Sequence, residues 1–112
     1  LMDVGAGLVA DDYTELSTED GNLYANAPKA IQGLLEVRGV GILHVGCVPR
    51  APVVAIFDLV ALADIERLPG AQMEVIEGID IARYCLHGFD ASAPAKVRMA
   101  LKAQKENLFH PT

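Results

Sequence analysis

The sequence predicts a single α/β domain, residues 1–112, built on a mixed β-sheet with flanking helices. Three observations carry that expectation. Apolar runs of strand length are separated by turn residues; Asp20-Gly21 and Glu77-Gly78 sit between paired runs as hairpin turns; and a terminal amphipathic segment opens at a serine. The order is helix end, strands and hairpins, then terminal helix, which suits a layered α/β or α+β arrangement.

The elements follow in turn. Leu1 to Gly5 reads as the last turn of a helix closed by Gly5, so the chain begins inside an element and further sequence is expected upstream. Gly7 to Ala10 is a short apolar run that reads as a buried strand, with Asp11 and Asp12 at its carboxyl end. Tyr13 to Ser17 and Asn22 to Ala25 flank Asp20-Gly21 as a hairpin, and Asn26, Ala27 and Pro28 end it. Lys29 to Leu35 is expected to form a short helix, weakened by Gly33. Val37 to Val45 reads as a strand entered through a bend, because Gly39 and Gly41 interrupt β-branched residues where a ligand or another backbone comes close.

Pro49, Arg50 and Pro52 mark a loop. Val53 to Ala63, apolar on both parities except at Asp58, is placed at the centre of the sheet. Asp64 to Leu68 makes a turn or short helix before Pro69 and Gly70, and Met73 to Ile76 pairs with Ile79 to Tyr84. Ser92 is the expected N-cap of a helix running to about Leu108, with Pro94 tolerated in its first turn.

Composition narrows the function. With 52% hydrophobic and 21% charged residues the chain has the material for a core, and its net charge of −6 supplies no field to gather nucleic acid or an anionic membrane. The longest apolar run, Val53 to Ala63, is about half a bilayer span and contains Asp58. Two cysteines, Cys47 and Cys85, make no disulfide framework; flanked by apolar residues, both are expected in the core of a cytoplasmic protein. His44, His87 and His110 form no zinc spacing, and neither Ser17 nor Ser92 lies in a nucleophile elbow.

The informative residues are acidic. Asp11 and Asp12 face opposite ways in an extended strand and share a site only if the chain turns after Ala10. They are either turn residues satisfying backbone N–H groups or a functional pair. Glu36 and Arg38 project to one side of an extended strand, as a surface ion pair or as part of the same site.

L-V-A-D-D at 8–12, N-A-P at 26–28, L-L-E-V-R-G-V-G-I-L at 34–43 and I-E-R-L at 65–68 together resemble the catalytic domain of the bacterial HPr kinase/phosphorylase family. The family signature, L-E-I/V-R-G-L/V-G-I, is matched throughout from Leu35 to Ile42, and order and intervals agree from Leu1 to about Pro69. The continuation is similar to compact alpha-proteobacterial members. The resemblance implies a kinase fold of the phosphoenolpyruvate carboxykinase type, with a P-loop expected upstream of Leu1. Without that loop, this stretch is expected to be inactive. It implies Mg2+- and ATP-dependent phosphorylation of a serine in the phosphocarrier protein HPr, pyrophosphate being a further possible ligand, with reverse phosphorolysis of phospho-HPr, in hexamers.

By the same resemblance Asp12 is the general base, Asp11 supports it, and Glu36 is the magnesium ligand. Arg38, Gly39 and Gly41 lie in the segment used in both reactions, and Arg67 matches an active-site arginine. The family's phosphorolysis segment, P-V-R-P-G-R, is replaced by A-R-Y-C-L-H-G at 82–88, where Arg83 is the one candidate remnant. Phosphoryl transfer suits these residue types, since it needs oxygen ligands for magnesium and a carboxylate at the acceptor hydroxyl. The rival reading is a non-catalytic nucleotide- or partner-binding module derived from the kinase; a plain structural domain is the third.

Overall fold

The computed structural model describes Met2 and residues 5–110. The chain forms two compact units, residues 1–54 with 75–80, and residues 55–74 with 81–112. The mixed α/β character is as the sequence predicts, with the strands divided among three small sheets and one α-helix among the described residues. The expected helix end at Leu1 to Gly5 rests on Leu1, Asp3 and Val4, which lie outside the described residues.

In the first unit, β1 (Glu15–Glu19) and β2 (Asn22–Asn26) form the expected hairpin, with Glu19 opposite Asn22. Asp20 and Gly21 both take positive φ, 53° and 79°, the handedness a two-residue hairpin loop requires. The segment read as a loop at Pro49 to Pro52 is instead a third strand, β3 (Arg50–Pro52), antiparallel to β2. It lies at the sheet edge, where a proline's missing N–H costs no ladder bond. Arg50 secures it: the guanidinium lies 3.9 Å from the Tyr24 ring centroid and donates from Nη2 to Glu19 at 2.6 Å.

The expected Gly7–Ala10 strand reduces to one parallel bridge between Leu8 and Cys47, with the Val48 N–H donated to the Leu8 carbonyl at 2.6 Å. Lys29 to Leu35 is not one helix. A single 3-10 turn, Lys29–Ile31, gives way to a strand, Leu34–Val37. Gly33 divides them because it has φ +74°, and a Cβ there would stand 2.9 Å from the Val45 carbonyl. Nor is Val37 to Val45 one strand: Leu34–Val37 (β4) pairs antiparallel with Gly41–His44 (β5) around a turn at 38–40. Gly39 and Gly41, at φ 84° and 133°, shape that hairpin, and the space where their Cβ atoms would stand is open.

The third sheet has the order β6-β8-β7, with β6 Ala55–Leu59, β7 Met73–Ile76 and β8 Ile79–Leu86. β7 and β8 are the expected hairpin, and Glu77 and Gly78 repeat the positive-φ turn. β6 is shorter than the predicted Val53–Ala63 run and lies at an edge; the longer β8 is central and parallel to it. A 3-10 turn at Leu62–Asp64 stands slightly before the expected Asp64–Leu68 turn. Phe57 stacks on its cross-strand partner Tyr84 with centroids 5.0 Å apart, and the Tyr84 hydroxyl donates to Gln104 at 2.7 Å.

Helix α1 runs Ala93–Glu106. Ser92 precedes it as expected but does not cap it through its hydroxyl, since Ser92 is itself in helical geometry and Pro94 offers no N–H. Asp90 serves instead, its Oδ1 accepting the Ser92 N–H at 2.9 Å and the Ser92 hydroxyl at 2.8 Å. Those bonds, first the backbone one, hold the Asp90 carboxyl below its ordinary value, with Lys96 adding to the effect. The helix stops before Leu108 because Asn107 is left-handed, allowing the Leu108 N–H to close on the Ala103 carbonyl at 3.0 Å.

Full burial is sparse. Leu23, Ala27, Ile81 and Ala93 are the buried hydrophobic residues among those described, and of these Leu23 is fully buried. The cysteines are not core residues: Cys47 and Cys85 are both exposed free thiols. Among the described residues no helix is long and apolar enough to cross a membrane.

Candidate functional site

On the first unit a cleft of about 170 Å³ is lined by Asp11, Asp12, Ile31, Leu34, Glu36 and Ile42. Strand parity explains half of this wall. Leu34 and Glu36 are two apart on β4, and Ile42 is the cross-strand partner of Glu36, so all three side chains share one face of the hairpin. The opposite wall comes from the bend at 11–12 that follows the Leu8 bridge. Because the chain bends there, adjacent aspartates that would diverge in a strand both reach the cleft.

One bond joins the walls. The Glu36 backbone N–H donates to Asp11 Oδ2 at 3.0 Å, across 25 residues of sequence. A β4 N–H aimed at Asp11 points away from β5, so Glu36 and Ile42 form a non-hydrogen-bonded pair, the type that brings side chains closest. Among the described residues, no hydrogen bond or ion pair engages the side chains of Asp12 or Glu36. The arrangement therefore presents two free carboxylates beside an aliphatic wall.

This donor set suits a hard cation. No group of three or more His, Cys, Asp or Glu side chains able to hold a metal occurs among the described residues. Magnesium is compatible with that, because it binds through one or two carboxylates and fills its remaining positions with water and phosphate oxygens. The open cleft and the unengaged Glu36 and Asp12 oxygens fit such a partly hydrated ion.

The other residues named from the sequence are placed differently. Arg38 and Gly39 are exposed in the turn beyond β4, and Gly41 begins β5. Arg67 is exposed and belongs to the second unit. Arg83, also in that unit, is clamped by Asp58 and Glu74, and the Asp58 hydrogen bond is the first cause holding its guanidinium above even its usual high pKa. The cluster borders a hollow of about 710 Å³ lined also by Gln72, Met73 and Cys85. With two carboxylates on one guanidinium, the hollow offers no uncommitted arginine to an anion. Sequence reasoning did not find this acid–arginine cluster; the alternation of Asp58 among apolar residues was its faint signal.

No family model matches the chain. Among curated proteins, the HPr kinase/phosphorylase of Exiguobacterium sibiricum is 54% identical over 46 residues, 40% of this chain and 15% of that protein. Those of Bordetella pertussis and Bacillus subtilis are each 50% identical over 46 residues, with the same coverage. The aligned stretch thus spans well under a fifth of each relative's length. Among solved structures, the Hpr(Ser) kinase/phosphatase from Coxiella burnetii superposes with a TM-score of 0.82 at 21% identity, covering 96% of this chain and 77% of that one. By sequence over two fifths of its length, and by fold over nearly all of it, the chain resembles part of the catalytic domain of the HPr kinase/phosphorylases.

Proposed function

We propose that the chain forms part of an ATP- and magnesium-dependent kinase that phosphorylates a serine of HPr. The observation that carries this reading is the meeting of Asp12 and Glu36 in one cleft, from segments remote in sequence. A magnesium ion there would supply neutralisation of phosphate charge. Glu36, a free oxygen donor on the β4 face, would hold it.

Asp12 accepts the proton of the serine hydroxyl. Its carboxylate is not spent on an internal bond, and a loose transition state asks little activation of the nucleophile. Ile31, Leu34 and Ile42 line the cleft beside that carboxylate. Arg38 and Gly39 in the exposed turn, with Gly41 at the start of β5, take the roles of the matching family segment on the likeness alone. Arg67 takes the role of the matching family arginine on the strength of I-E-R-L alone. Cytoplasmic location and hexameric assembly are part of the proposal, on the family likeness.

Transfer of labelled phosphate from ATP to HPr tests it, using the chain alone and joined behind the glycine-rich phosphate-loop segment of a relative. The joined protein should label HPr on serine and the chain alone should not. Asp12→Asn should lower transfer by roughly 10²-fold or more while nucleotide affinity stays within about twofold. Nucleotide binding without any transfer would favour a regulatory module, and unimpaired transfer in Asp12→Asn would remove that residue from its role.

A further inference from the structure

We propose that Asp11 is a positioning residue: by accepting the Glu36 N–H, its carboxylate fixes the segment that ends in Asp12 against the open edge of β4. The two adjacent aspartates then divide the work, one setting geometry and the other left free for chemistry. The inference deepens the kinase reading and rests on it for Asp12's role, but the clamp itself is a statement about this fold.

The geometry is specific. β4 and β5 form a two-stranded sheet, so among the described residues the outer edge of β4 has no strand partner. The Glu36 N–H on that edge would otherwise face solvent; Asp11 Oδ2 accepts it at 3.0 Å. The same segment is held three residues earlier by the Leu8 carbonyl, which accepts the Val48 N–H at 2.6 Å. Asp12 follows directly after the second attachment, and its position relative to Glu36 is set by the Asp11 bond. Because that bond ends on the Glu36 main chain, it fixes where the Glu36 side chain starts without consuming its carboxylate. Asp11 is exposed, so its replacement empties no core.

Acceptance of an N–H needs an oxygen, not a charge, and this separates a clamp from a catalytic carboxylate. Asp11→Asn keeps an acceptor oxygen and removes the charge, whereas Asp11→Ala removes both. Amide hydrogen exchange at Glu36, followed by NMR on the full chain, reads the bond without reference to activity. Exchange should quicken about tenfold in Asp11→Ala and stay within about threefold of wild type in Asp11→Asn. In the phosphate-loop-joined protein, transfer to HPr should fall by about tenfold or more in kcat for Asp11→Ala, with KM for ATP little changed. Asp11→Asn should recover most of that loss.

Unchanged Glu36 exchange in Asp11→Ala overturns the clamp. Loss of transfer in Asp11→Asn as complete as in Asp11→Ala, with Glu36 still protected, overturns it in favour of a charge-dependent role. Absence of transfer from every form, wild type included, defeats the kinase reading, and the exchange data then still decide the clamp.

Discussion

Replacing Gly33 with alanine tests how the hairpin that carries Glu36 is seated. Gly33 has φ +74°, and an added Cβ would stand 2.9 Å from the Val45 carbonyl oxygen, closer than such atoms approach. That oxygen is backbone and cannot swing aside. The Val45 N–H also donates to the Gly33 carbonyl at 2.8 Å, so relief of the clash strains the same link. The left-handed conformation costs alanine about 1 kcal/mol, and weakening the hydrogen bond costs roughly another 1 kcal/mol or more. Reduced freedom of the unfolded chain offsets about 0.5 kcal/mol. The net loss is about 1.5 kcal/mol, or roughly 6 °C in Tm for a chain of this size. Gly21 supplies the control, with φ +79° and nothing within 4 Å of an added Cβ. Gly21→Ala carries only the conformational cost less the same offset, about 0.5 kcal/mol, and should lose about a third as much. Both follow from thermal unfolding monitored by circular dichroism, with urea titration to check that the m-value is unchanged. Equal losses in the two variants would refute the close approach of Gly33 to Val45.

Asp90 gives a pH test. Its carboxyl is held below the ordinary value by the Ser92 N–H and hydroxyl, so its contribution to stability is full above about pH 4 and disappears as pH falls through the folded value. The Tm gap between wild type and Asp90→Asn should therefore be widest near neutrality and shrink towards pH 2; a gap that grows in acid contradicts the assignment. Arg83→Met leaves Asp58 and Glu74 facing one another without their shared cation, and should lower Tm at neutral pH. Added salt should narrow that loss, since these charges are partly exposed, and a salt-independent loss would point to packing instead.

What the sequence made legible follows from the range of the forces involved. Asp20-Gly21 and Glu77-Gly78 announce their hairpins because the turn chemistry is contained in two residues. The stretch from Pro28 to Val45 departs from its sequence pattern because its decisive features are not local. Gly33 weakens a helix on propensity, yet here it is a left-handed joint beside Val45. Gly39 and Gly41 look like a bend within one strand, but their positive φ values fold it into a hairpin. Arg50 forms a strand between two prolines because Tyr24 and Glu19 hold it, and neither is a sequence neighbour.

The candidate site divides in the same way. Asp11, Asp12 and Glu36 are named through the family resemblance, since spacing alone leaves them as turn residues and half of a surface ion pair, and they share a cleft. The distinct behaviour of the two aspartates could not be read, because it depends on a bond spanning 25 residues to a main-chain N–H that carries no sequence signal. Asp11 does satisfy a backbone donor, as a turn aspartate would, but the donor lies on a distant strand rather than in its own turn.

The proposed function requires Glu36 to hold a divalent cation close beside the Asp12 base, in the cleft that both residues line. Manganese standing in for magnesium tests it through paramagnetic broadening of assigned backbone amide signals. Substoichiometric manganese should broaden the signals of residues 11–12 and of 34–37 together, and Glu36→Gln should abolish or greatly weaken that broadening. Broadening centred on other residues, or an unaltered manganese titration in Glu36→Gln, would contradict the account.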